Sequence, residues 1–238
     1  MVGGQPVTDA VPIRIILAAE GPSDFRRIQI LLNHLLSTHT AGTHFFAVDG
    51  LDYIQIKRIP ELARRRGFDR RYNKGDRDTI RKLYNILKHD KLLSNESIIV
   101  WARDDDGDND RRSHALEERS ALPSTTPLFL AIASECGEAW VIAGWTSETK
   151  EEQDKQNNWR RALGFHPHEH PQRLSHKENV PKSAKTVVHD LIGYDSEREL
   201  KALLRAATAN SDAARACGIS AFCEDICTWI SNREKTNE

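Results

Sequence analysis

At 238 residues the chain is long enough to bury a real core, either as one large domain or as a medium domain with an appendage. Hydrophobic residues at 39% against charged residues at 29% exclude disorder by composition, and no apolar run approaches the roughly 20 residues that span a bilayer. The net charge of -1 excludes nothing, because it sums two local extremes, a basic tract from Lys57 to Lys74 and an aspartate-rich loop from Asp104 to Asp110.

The first residues, "MVGGQPVTDAVP", lack the basic start and apolar core of a signal peptide. Cys136, Cys217, Cys223 and Cys227 form no CxxC pair, so the expectation is a reducing cytoplasm without disulfides. Residues 11–19, "VPIRIILAA", predict a buried strand closed by Gly21-Pro22. The spacing of Phe25, Ile28, Leu31, Leu32, Leu35 and Leu36 then predicts a helix capped by Ser23 or Asp24. "THFFAVDG" is a candidate second strand. In the basic tract after it, Arg64, Arg65, Arg66, Arg70 and Arg71 are candidates for contact with a nucleic-acid backbone, against the alternative of a solvated charged face.

Residues 76–90 predict an amphipathic helix with an acidic first turn, and "SIIVWA" a strand that runs into the aspartates. A helix over "DRRSHALEERSA", a buried strand over "PLFLAIA" and a short helix over "ECGEAWVIAGW" follow, with Trp140 and Trp145 expected to pack against the sheet. Strands alternating with helices imply an α/β unit with a mainly parallel sheet, Rossmann-like, over residues 11–145. Past residue 146 the character turns to amphipathic helices, a helical region (146–238) packed on the first. Cys223 and Cys227, four apart, are expected in its core.

Carboxylates gather at three predicted strand ends: Glu20, then Asp104 and Asp106, then Glu135. In open parallel sheets that edge is where sites form. The loop is not an EF-hand, since counting from Asp104 puts Asn109 at position six and Ala115 at position twelve. Taken alone it is equally a solvated acidic loop. Asp104 and Asp106, i and i+2 in an extended segment, are expected to leave on the same side and share Mg²⁺, with Asp108 joining them, Asp105 pointing away and Asp110 capping the next helix. Asp24, four residues after Glu20, is expected to project to the same point. "FHPHEHP" offers His166, His168 and His170 to Zn²⁺ or another transition metal, but its prolines make it a loop and no Cys or Asp is near in sequence. A polar surface loop is the preferred reading there.

"IILAAEGPSD" followed by "IIVWARDDDGD" resembles the TOPRIM domain of topoisomerases, primases and related nucleases, with Glu20-Gly21 and Asp104-x-Asp106 as its two motifs. The pair Glu20/Asp24 is similar to that of OLD-type nucleases. "SECGEAWVIAG" resembles a segment of small stand-alone TOPRIM proteins linked to phage defence. The resemblance implies hydrolysis of DNA (or RNA) with two Mg²⁺ or Mn²⁺ ions. It adds Glu135 and Glu138 as further carboxylates, expected on one helical face, and Lys182 or Lys185 as a lysine beside the scissile phosphate. It also implies an ATPase partner in antiphage defence. This chain has no G-x-x-x-x-G-K-[ST] motif, so the ATPase would be a separate protein and this chain its effector subunit, with no membrane role and homo-oligomerisation left open. The competing readings are a non-catalytic TOPRIM-like module that binds nucleic acid or a partner, and a metallo-hydrolase built on the histidine loop.

Overall fold

The structure, a computed structural model, describes residues 11–38, 46–68, 75–123, 125–193, 195–209 and 211–236. Four strands, β1 (Val11–Ala19), β2 (Phe46–Gln55), β3 (Ser97–Asp104) and β4 (Leu128–Ala133), form an all-parallel sheet in the order β2-β1-β3-β4. The helices are α1 (Pro22–Thr38), α2 (Ile59–Arg65), α3 (Asp76–His89), α4 (Asn109–Ala121), α5 (Glu138–Gly144), α6 (Lys150–Leu163), α7 (Ala184–Ile192), α8 (Ser196–Thr208), α9 (Asp212–Ala216) and α10 (Ile219–Thr236). No helix among them is long and apolar enough to cross a membrane.

Both faces of β1, β3 and β4 are buried, which is why these strands read as largely apolar runs rather than alternating ones, whereas edge strand β2 is mixed. Period-two geometry still sorts their side chains. Ile13, Ile15, Leu17 and Ala19 of β1, with Ile98, Val100 and Ala102 of β3 and Phe129, Ala131 and Ala133 of β4, face one way. There they meet Ile28, Leu31 and Leu35 of α1 and Phe222, Ile226 and Ile230 of α10, with Leu203 and Ala206 of α8. The residues between them, Ile16, Ala18, Ile99, Trp101, Leu130 and Ile132, face α2, α3 and α4 through Ile59, Ala63, Ile80, Leu83 and Ala115. Helices from beyond residue 146 thus share one core with the sheet. Cys223 is buried in that core and Cys227 packs against it.

A third cluster ties α5 to α6 and α7 around Val141, Ile142, Trp145, Phe165 and Val187. Trp145 belongs here and not to the sheet, contrary to expectation, because α5 turns one side to the sheet and the other to α7. Trp140 keeps the sheet side, stacked 6.2 Å from Phe222 and donating through Nε1 to the carbonyl of Cys217 at 2.8 Å.

Helix α5 lies so close to α8 that a Cβ on Gly144 would stand 1.9 Å from the carbonyl oxygen of Ala202 and 2.5 Å from the amide nitrogen of Ala206. Both atoms are backbone and cannot rotate away. Gly144→Ala is therefore expected to cost about 2–4 kcal/mol, read as a shift in urea midpoint without a change in slope.

Candidate metal centre at the strand ends

The order β2-β1-β3-β4 reverses direction between β1 and β3, since the connection out of β1 goes to one side and β3 lies on the other. A crevice opens at the carboxyl ends of the two strands at such a switch point. Glu20 immediately follows β1 and Asp104 ends β3. Alternation then decides where each neighbour goes. Ala19 and Ala102 face α1, so Asp104 returns to the α1 side while Glu20 and Arg103 take the other. Glu20 Oε1 accordingly pairs with Arg103 Nε at 2.8 Å, and the same guanidinium holds buried Asp76 at the start of α3.

On the α1 side, Asp24 sits in the first helical turn and accepts from the amide of Gly21 at 3.1 Å through Oδ2. Its other oxygen faces Asp104 across Gly137. A Cβ at Gly137 would stand 3.5 Å from Asp24 Oδ1, 3.7 Å from Asp104 Oδ1 and 2.9 Å from Arg27 Nη1. Glycine is thus the residue that fits between α5 and this group. Glu138, the first residue of α5, completes the set, joined to Arg27 Nη2 at 3.1 Å.

Burial, reinforced by the charges of Asp24, Glu138, Glu20 and Asp106, pushes the carboxyl of Asp104 up to about 8. Burial also raises Glu20, against the attraction of Arg103, and raises Asp24, against that of Arg27. Glu138 goes the other way: burial would raise it, but the Arg27 guanidinium holds it below the usual carboxylate range. Among the described residues no Lys or Arg nitrogen lies within salt-bridge distance of the Asp104 carboxylate. The donor set is all oxygen, so it suits a hard divalent cation such as Mg²⁺ or Mn²⁺. Three carboxylate oxygens do not converge within 4.8 Å here, so ligation would draw these side chains inward.

Several predicted ligands stand elsewhere. Asp106 is not extended: β3 ends at Asp104, and Asp106 takes a left-handed φ of 51° in the turn, where Arg111 holds its carboxylate. It still adds to the field on Asp104, reaching it through the turn instead of along a strand. Asp108, not Asp110, caps α4, accepting from the Asp110 amide at 3.1 Å, which occupies an oxygen meant for metal. Asp105 turns to the backbone and accepts from the amides of Gly107 at 3.0 Å and Glu135 at 2.7 Å. That bond locks Glu135 in a left-handed conformation (φ 66°) ahead of α5, so Glu135 and Glu138 do not share a helical face. Glu135 instead points to His176 Nδ1 at 3.1 Å, at a separate cleft of about 660 Å³ that Lys177 and Lys182 also line.

The two lysines part company. Lys182 lines that neighbouring cleft, whereas Lys185, bonded to Glu178 at 2.6 Å, lies close enough to Glu138 and Asp24 to feel the one and lower the other. The arginine tract also divides. Arg66 forks onto Asp90 with two bonds of 2.9 Å, holding that carboxyl down to about 2. Asp90 caps the end of α3 opposite Asp76, so some 14 residues, about 20 Å of helix, separate Arg66's partner from the carboxylates. Arg65 folds back to Glu61 at 2.5 Å. With Arg58, Tyr53 and Gln55 it borders a shallow cleft of about 220 Å³, and Gln55 donates to the Glu20 carbonyl at 3.3 Å. Arg70 and Arg71 lie outside the described residues.

Sequence reasoning missed Arg27, Arg103, Arg111 and Arg58. Arg27 had a signal, since i and i+3 share a helical face and Asp24 precedes it by three. No protein-family model, curated protein or solved structure matches the chain.

Proposed function

We propose that the chain is a TOPRIM-type nuclease that hydrolyses phosphodiester bonds of DNA, or RNA, with Mg²⁺ or Mn²⁺. The observation that carries this reading is Asp104, a half-buried carboxyl at the switch-point end of β3 facing Asp24, Glu138, Glu20 and Asp106, with no cation paired to it among the described residues. Asp104, Asp24, Glu138 and Glu20 would hold the ions, with Asp106 at the rim. When bound, the ions would generate a hydroxide-like nucleophile near neutral pH and neutralise charge on the phosphate.

The chain's own groups supply the rest. Lys185 stands beside Asp24 and Glu138, where its ammonium can meet the charge that develops on the scissile phosphate. Arg58 and Arg65 offer contacts to flanking phosphates, and Tyr53, 38% exposed, offers a ring face to an unpaired base. Arg103 steadies Glu20, and Arg27 steadies Glu138 and Asp24. Coupling to a separate ATPase in antiphage defence belongs to the same proposal and rests on the resemblance alone.

Purified protein incubated with supercoiled plasmid and Mg²⁺ or Mn²⁺ is expected to nick or linearise it. Glu20→Ala and Asp104→Ala are expected to lower the rate by 10³-fold or more. Cleavage that persists in both variants would overturn the assignment. DNA binding without cleavage under any metal would favour the non-catalytic module, for which the cleft at Tyr53 and Arg58 speaks.

A further inference from the structure

The loop between α6 and α7 carries a group of side chains that the carboxylate centre does not use. His166, His168 and Glu169 each bring one ligand atom to a common point, all within 4.8 Å of one another. Tetrahedral Zn²⁺, with bonds of about 2.0–2.1 Å, spaces its ligands about 3.3 Å apart, so small rotations of the side chains would close the set. We infer that His166, His168 and Glu169 form a binding site for a borderline divalent transition metal, Zn²⁺ above all, with water in the fourth position.

Three further observations point the same way. His166 Nδ1 is buried and has no hydrogen-bond partner among the described residues. Such a nitrogen costs about 1–3 kcal/mol unless something engages the ring. His168 Nε2 lies 3.8 Å from Glu169 Oε1, a separation that suits two ligands of one ion better than a direct bond. The side-chain amide of Gln156 lies 2.7 Å from His168 Nδ1, and its other end lies 3.5 Å from Ser147 Oγ. The same amide atom lies 3.2 Å from His168 Nε2, so Nδ1 is its nearer partner. An amide's oxygen and nitrogen interchange by a half-turn. Turned so, Gln156 accepts a hydrogen bond from Nδ1–H, the tautomer whose Nε2 lone pair can take a metal, which is how outer-shell partners fix a metal-ligating histidine.

The loop's backbone is prepared for this. The carbonyl of His166 accepts from the amides of Glu169 at 3.2 Å and His170 at 3.1 Å, so one tight turn stacks the ligands. The same loop runs on to His176, which meets Glu135, and through the bridge of Ser175 with Ser183 to the start of α7 and Lys185. A metal here would be a staple for the segment that delivers Lys185, chemically distinct from the all-oxygen centre.

The test titrates the tag-free, metal-stripped full chain with Zn²⁺ and with Co²⁺. One equivalent is expected to bind, with the visible absorption of four-coordinate Co²⁺. His166→Ala/His168→Ala is expected to weaken binding at least 100-fold, and Gln156→Ala by about 10-fold. Far-UV circular dichroism of each variant identifies any loss due to misfolding, and Gln156→Ala, which removes no ligand, then decides. Asp104→Asn is expected to leave the Co²⁺ spectrum unchanged, which separates this site from the proposed nuclease centre. A wild-type chain that takes up no Zn²⁺ or Co²⁺, or a double histidine variant that binds as tightly as wild type, would overturn the inference.

Discussion

In EDTA at pH 9, the Asp104→Asn protein is expected to melt roughly 3–6 °C above the wild type, and the gap is expected to narrow steadily as the pH falls toward the unfolded value of about 4. Asp104 binds its proton more tightly in the folded chain, at about 8, than in the unfolded chain, near 4. The stability this contributes is fully present below the unfolded value and is lost as pH rises through the folded one. Above pH 8 the wild type carries an ionised Asp104 against Asp24, Glu138, Glu20 and Asp106, whereas asparagine never ionises. Mg²⁺ is expected to reverse the order. An ion held by Asp104 stabilises the wild type by about 2.7 kcal/mol at 100 times its dissociation constant, and the variant by much less. Calorimetry across pH with and without Mg²⁺ reads both signs. Parallel curves for the two proteins would mean that Asp104 neither stores repulsion nor takes the ion.

Arg27→Ala is expected to cost about 3–5 kcal/mol, the second large effect. Arg27 is 11% exposed and reaches Glu138 at 3.1 Å, Glu199 at 3.2 Å and Asp24 at 3.8 Å. Its removal strands three carboxylates at one junction of α1, α5 and α8. Arg27→Lys is expected to recover only part of the loss, because one ammonium cannot fork to three partners. Arg27→Ala/Glu138→Gln/Glu199→Gln is expected to recover more than half, since neutral amides need no counter-charge. Chemical denaturation measures all three, and a loss under 1 kcal/mol for Arg27→Ala would mean that solvent, not this guanidinium, compensates the acids.

The parts of this molecule that announced themselves in sequence are those governed by period. β1, β3 and β4 each hold a run of five or more apolar residues, and α1, α3 and α8 repeat their leucines and isoleucines at helical spacing. β2 extends to Gln55, past "THFFAVDG", because the mixed "LDYIQ" hides its pairing with β1. α9, five residues long, is too short to show a period. Glu20, Asp24 and Asp104 could be gathered because each sits at the end or beginning of a periodic element, whereas Glu138 entered only through the resemblance. Asp106 and Glu135 could not be aimed, since both turn on left-handed φ angles at residues that are not glycine. The arginines were opaque for another reason: their partners are chosen across distances such as the 172 residues between Arg27 and Glu199. Charge runs in sequence do not say whether a guanidinium will meet solvent, as Arg65 partly does, or an internal acid, as Arg66 does.

That 172-residue span has a kinetic side. The carboxylates at the ends of β1 and β3 and the starts of α1 and α5 emerge from the ribosome first, and Glu199, Phe222 and Ile226, which close the α1 face, emerge 55 or more residues later. At about 5–20 residues per second, the nascent chain spends several seconds with its acidic edge complete in sequence and its hydrophobic backing absent. Contacts between distant segments also slow folding once synthesis is over. The newborn chain therefore passes through a stage in which one face of its sheet is bare, before the carboxylates at the strand ends have an ordered backing.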